Sequence, residues 1–206
     1  MEAQPSLGAS EIVAGRPFTN PEQSLEDVGK LSYMIEALRA MLQRLPDEPA
    51  TRILEGPGQD GRGQRIVISK WAKLRAAPEL FVVGFFGQKR MGVNGEPMDE
   101  MDQALIGEFD AHPGVLSYSS LELADGNWGN LVLLADEQTR DHWRTSPRHM
   151  HAAQDLSPHH YLTIRLHNGL LPGGLWSGRE VVLLRTKYYD FQSQPAWKAV
   201  REFQPG

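Results

Sequence analysis

Trp128-Gly129-Asn130-Leu131-Val132-Leu133-Leu134-Ala135, then Asp141-His142-Trp143-Arg144-Thr145-Ser146-Pro147-Arg148-His149, then Tyr161-Leu162-Thr163-Ile164-Arg165-Leu166-His167-Asn168 decide how this chain folds. The first run is apolar and follows the turn Ala124-Asp125-Gly126-Asn127, which predicts a strand. The second predicts a helix from Asp136 to about Thr145. Ser146 as a cap and Pro147 at the first helical position then start a second short helix through about Leu156. The third alternates. Leu162, Ile164 and Leu166 share one face of a strand, and Tyr161, Thr163, Arg165 and His167 share the other.

Working outward, Leu80 to Gln88 reads as a buried strand, and Pro97 opens a helix with an acidic first turn. Met98, Met101, Leu105, Ile106 and Phe109 line one face of that helix, and Val115 to Leu123 is a strand. Glu180 to Phe191 reads as a long final strand. The order from Leu80 is β-α-β-β-α-β-β, which predicts an α+β fold: a ferredoxin-like antiparallel sheet with helices on one face. Residues 79–191 form this core. Residues 1–23 hold scattered Pro and Gly and read as an irregular leader.

Residues 24–78 form an N-terminal extension. Ser24 is expected to cap a helix that carries Leu31, Met34, Ile35, Leu38, Met41, Leu42 and Leu45 at helical spacing and ends at Leu45-Pro46-Asp47. Thr51 to Glu55 and Arg65 to Trp71 are short strand-like runs. Gly56 to Gly63 between them contains a formal G-x-G-x-x-G, but a strand pattern follows it rather than a helix, so a hairpin loop is expected instead of a phosphate loop. Residues 192–206 form a tail.

The 206 residues include no cysteine and carry a formal charge of −5. Disulfides and thiolate chemistry are therefore excluded, and the scattered basic residues make no stripe of the kind nucleic-acid binders show. No stretch approaches a membrane span, and Met1 to Ser10 lack a basic n-region, so a soluble, cytoplasmic protein without membrane or nucleic-acid partners is expected. Five of the seven histidines fall between His142 and His160. Their spacing does not favour a metal set: His149 and His151 are two apart, and Pro147 interrupts the helix.

The run Asn130 to Ala135, then Trp143, then Ser146-Pro147-Arg148-His149, resembles the dimeric α+β barrel superfamily of antibiotic-biosynthesis-monooxygenase-like and haem-degrading-monooxygenase-like proteins. The resemblance covers roughly half of the chain. It implies a homodimer, with an N-terminal helix that covers an edge or extends the interface, and a polar sheet face that becomes a barrel interior. It also implies a monooxygenase-like enzyme acting on a small aromatic or apolar molecule, with haem or with no cofactor. His149 and His167 are the catalytic candidates, because imidazole titrates near neutral pH. Trp143, Tyr118, Arg165, Phe85 and Tyr161 are the candidates for binding the small-molecule ligand. The alternative is a non-catalytic dimeric ligand-binding or stress-associated protein of the same fold, whose inner face is filled by its own side chains.

Overall fold

Asn20-Pro21 starts the longest helix, α1 (Pro21–Arg44), in a computed structural model that describes residues 4–46, 50–58 and 61–204. The expected helix end at Asp47 and the hairpin tip Gln59-Asp60 lie outside the described residues. The Asn20 side chain accepts from the Glu22 N–H at 3.0 Å, and Pro21 brings a φ already suited to the first turn. Ser24, expected as the cap, therefore lies inside the helix. Leu31, Met34, Ile35, Leu38 and Leu42 form a continuous buried stripe, each at most 2% exposed.

The remaining elements follow in order. β1 (Arg52–Pro57) and β2 (Gly63–Ile68) form the expected hairpin. α2 (Trp71–Ala76) replaces the expected continuation of the second strand, because Trp71 and Leu74 turn inward to join the α1 core. Next come β3 (Glu79–Lys89), α3 (Glu96–Gly107), β4 (Val115–Glu122) and β5 (Trp128–Leu134). α4 (Glu137–Trp143) and α5 (Pro147–His151) run through a π-helical turn at Ala152–Leu156 into α6 (Ser157–His160). Ser146 caps α5 as expected, accepting from the His149 N–H at 3.2 Å. β6 (Tyr161–Pro172), β7 (Val182–Asp190) and β8 (Trp197–Glu202) complete the chain.

All eight strands join one antiparallel sheet in the order β1-β2-β4-β5-β3-β6-β7-β8. Helices pack on both of its faces. α1 lies across β3, β4 and β5, and packs on Ile66, Ile68, Leu80, Val82, Phe86, Leu116, Leu121, Leu131 and Leu133. α3 and α4 cover part of the opposite face, over Val67, Phe81, Val115, Tyr118, Val132 and Leu134. The N-terminal helix therefore fills the face that was expected to enclose a barrel with a second protomer, rather than covering an edge. The stripe of five buried side chains accounts for this, since its apolar area is larger than an edge contact would bury.

The leader and tail bind each other. Ser6 pairs with Val200 of β8 in a parallel bridge, and the Leu7 N–H donates to the Val200 carbonyl at 2.7 Å. Leu7 and Phe18 pack with Tyr188 and Ala199. Arg201, 0% exposed, donates to the carbonyls of Gly8 (3.0 Å), Thr19 (2.9 Å) and Glu11 and to the Tyr188 hydroxyl (2.7 Å). A buried guanidinium with its donors satisfied orders a segment that has little regular structure of its own. No helix among the described residues is long and apolar enough to cross a membrane.

Candidate functional site

The seven residues singled out in the sequence lie on opposite faces of the sheet. Arg165 and His167 of β6 point at α1, where Asp27 receives both. His167 Nε2 is 3.1 Å and Arg165 Nε 2.6 Å from the same Asp27 oxygen, and Lys30 Nζ is 2.9 Å from the other. Arg165 also donates to Gln23 at 3.0 Å, and Thr186 Oγ1 lies 2.8 Å from His167 Nδ1. Burial raises the Asp27 carboxyl, but the hydrogen bonds from His167 and Arg165 and the Arg165 charge more than offset it and hold it at about 2. Burial, with the charges of Arg165 and Lys30, keeps His167 below the usual histidine value against the pull of Asp27. His167 is thus neutral. Asp27 can only accept, so Nε2 carries the hydrogen and Nδ1 accepts from Thr186.

The connection Thr186–His167–Asp27 is a hydroxyl–imidazole–carboxylate chain, the order used to activate a nucleophile. Its exposure argues against that use. Thr186 is 0%, His167 1% and Asp27 0% exposed, so no substrate reaches the hydroxyl. These groups fasten α1 to β6 and β7. His167 is therefore out of reach as a base toward a substrate, and Arg165, whose side chain is 18% exposed, is held on the α1 face by Asp27 and Gln23.

Phe85, Tyr118, Tyr161, Trp143 and His149 lie on the other face, with α3 to α6. Alternation alone puts Tyr161 with Arg165 and His167. A register irregularity opposite Gln88 and Lys89 moves it across. Its ring then packs on Phe85 at 5.3 Å between centroids, over Gly87, where a Cβ would lie 2.5 Å from Tyr161 Cε1. Tyr118 is buried and donates to Asp102 at 2.8 Å, and the other Asp102 oxygen accepts from Arg65 at 2.6 Å. Burial raises Asp102 above the usual carboxyl value, and the bonds from Tyr118 and Arg65 only partly counter it. Trp143 packs edge-on against Phe109 at 5.8 Å and His149 at 5.0 Å. Trp143 Nε1 and His149 Nδ1 are both buried without a hydrogen-bond partner among the described residues. Burial, and then the Arg144 charge, lower the His149 pKa. The other histidines make local contacts: His151 bonds Asp155 at 2.7 Å, His159 the Asp155 carbonyl at 2.7 Å, His142 lies against His112, and His160 lies edge-on to Tyr161 at 4.7 Å.

The strand registers line up one row across this face: Arg65, Ser120, Asn130, Phe85, Leu166 and Lys187. Asn130, Phe85, Leu166 and Lys187 are half-buried, as are Val83 and Leu184 beside them. β4 is almost wholly buried, whereas β5, β3, β6 and β7 stay partly open along this row. Sequence reading did not single out Asn130 or Asp102 as site residues. Asn130 has a legible signal, since it is a polar residue in an otherwise apolar strand; Asp102 is one of several acids on its helix. Two surface clefts, one bounded by Arg90, His159 and Phe191 and the other by Lys89, Met91 and Asp125, contain none of the seven residues.

Of the two histidine candidates, His167 has both ring nitrogens hydrogen-bonded within the chain and so offers none to a haem iron, and His149 Nδ1 is enclosed beside Trp143.

No family model matches the chain and no curated protein matches it. Among solved structures, protein SO0527 from Shewanella oneidensis is similar over 46% of this chain and 92% of that one, at 13% identity and a TM-score of 0.40.

Proposed function

We propose that this chain is a ligand-binding α+β domain, and that a small planar apolar or aromatic molecule lies on the open sheet face over β5, β3 and β6. The observation that carries this reading is the half-buried row Asn130–Phe85–Leu166. It presents apolar surface between helices, flanked by the Asn130 amide and the Tyr161 hydroxyl, neither of which has a hydrogen-bond partner among the described residues. An apolar floor with a few convergent polar groups is the usual composition of a small-molecule site. The strand order β4-β5-β3-β6, with both helical crossovers on one face, supports a ferredoxin-like core extended by β1 and β2 at one side and β7 and β8 at the other. A homodimer belongs to this reading only through a surface other than the one α1 covers.

A monooxygenase-like activity is the second reading, and it rests on His149. Of the two histidines first considered, only this one lies on the same face as the aromatic row, neutral and with an unpartnered nitrogen. Filling of the α1 face by Asp27, Arg165 and His167 favours binding over catalysis.

The test is a titration of naphthalene followed by its fluorescence, with the protein and its Phe85→Ala and Leu166→Ala variants. Saturable binding that weakens about tenfold in each variant is expected, since each removes roughly 1–2 kcal/mol of apolar contact. Equal binding by all three proteins would sink the placement.

A further inference from the structure

Lys187 sits at the end of the row just described, opposite Leu166 in the register, which is itself opposite Phe85. Neighbouring strands are about 4.8 Å apart, so roughly 10 Å separates the Phe85 and Lys187 positions across the sheet. That span suits a bicyclic or similar planar molecule with one substituent. We propose that the ligand of this face carries a carboxylate, held by Lys187. The proposal rests on the reading of this face as a ligand site.

The charge arrangement argues for it. The charges of Arg144, just after α4, of Arg185 on β7 and of Arg140 on α4 act against the Lys187 ammonium, and that of Asp141 acts for it. Each arginine already has an acid. Arg140 pairs with Glu137 at 3.0 Å and Asp141 at 2.8 Å, Arg144 with Asp141 at 3.5 Å, and Arg185 with Glu202 at 2.7 Å. Lys187 has no acid within ion-pair distance and no hydrogen bond among the described residues. Four cations thus share three carboxylates, in a chain whose formal charge is −5. The leftover positive charge sits half-buried on an apolar floor, where an unpaired ammonium is costly and a matching anion is favoured. In support, burial and the three arginines press the Lys187 amine below the usual lysine value.

A single unpaired ammonium next to Leu166, Leu184 and Tyr189 selects one anionic group on an apolar body. The arginines take the planar, bidentate partners, and the lysine remains as a point charge.

The experiment compares naphthoate with naphthamide, two probes with the same ring system that differ in charge. Both are titrated by fluorescence into the full chain and into Lys187→Met and Lys187→Gln. Circular dichroism melts establish which variants fold. The expected result is that the native chain binds naphthoate about tenfold more tightly than naphthamide. Either folded variant brings naphthoate down to the naphthamide level and leaves naphthamide unchanged. Raising salt from about 0.05 to about 0.5 M weakens naphthoate only. Equal affinities in the native chain, or a naphthoate preference that survives in a folded variant, overturn the carboxylate assignment while the apolar site stands. If neither probe binds, the ligand-site reading itself falls, and this inference with it.

Discussion

Replacing Asp27 by asparagine tests the polar joint between α1 and the sheet. The native carboxylate stands at about 2 against an ordinary value of 3.8. A depression of nearly two units corresponds to about 2.5 kcal/mol of stability at neutral pH. Asparagine removes that charge and also turns an amide N–H₂ toward Lys30, Arg165 or His167, all of which donate. Loss of one partner from a buried ion pair costs about 3–5 kcal/mol when the remaining charge is stranded. Here Arg165 keeps Gln23 and Lys30 reaches solvent, so a loss of about 2–4 kcal/mol is expected. For a chain of this size that lowers Tm by about 5–15 °C. Urea unfolding at neutral pH measures it directly, with an unchanged slope expected.

The pH dependence gives a second readout. Asp27 has a depressed folded pKa, so its contribution is complete above the unfolded value near 4 and is lost as pH falls toward 2. His167 is also depressed, so its contribution is complete above about 6.5 and is lost as pH falls below that. The native protein should therefore lose stability in both windows, and Asp27→Asn should flatten the lower one. A variant within about 0.5 kcal/mol of the native protein, with the same loss below pH 4, would refute the reasoning.

Three further outcomes follow from other contacts. Gly174→Ala should destabilise the protein by several kcal/mol in urea unfolding, because φ is +71° and the added Cβ would lie 1.9 Å from the Ala77 carbonyl oxygen. Arg201→Met should free the segment 4–20 from β8, and limited proteolysis should then cut that segment well before the sheet core; cleavage at the native rate would contradict the anchoring role. Hemin titration should give no saturable Soret change that depends on His167, and a one-site change abolished by His167→Ala would overturn its assignment to the Asp27 joint.

Much of the fold was legible because its signals are local. Pro147 after Ser146, the alternation in Tyr161 to Asn168 and the apolar stripe of α1 each state their structure within one or two turns. The start of α1 at Asn20-Pro21 was also written in the chain, yet Ser24 competed as a cap. The β8 strand and the docking of Ser6 were not legible. Both depend on Arg201 finding three carbonyls at sequence separations above 180, and nothing near Arg201 specifies them.

The candidate site shows a sharper limit. Period-two reading assigned Tyr161, Thr163, Arg165 and His167 to one face, and for Arg165 and His167 the shared face is correct. The register irregularity beside Gln88 and Lys89 moves Tyr161 to the other face, and with it a ring that packs on Phe85. One extra residue in a strand thus separates a structural cluster from a candidate binding surface. Arg165 and His167 looked chemical because a polar row on a buried strand needs partners. The partner was Asp27, 138 and 140 residues away on α1, in the segment read from sequence as an extension outside the core. Lys187 poses the same question on the opposite face, and there no acid among the described residues comes within ion-pair distance, Asp141 acting only from farther away. A buried charge that the chain neutralises is explained by folding, and one it leaves half-buried and unmatched points outward. That difference, rather than residue type, separates His167 from Lys187 as a guide to function.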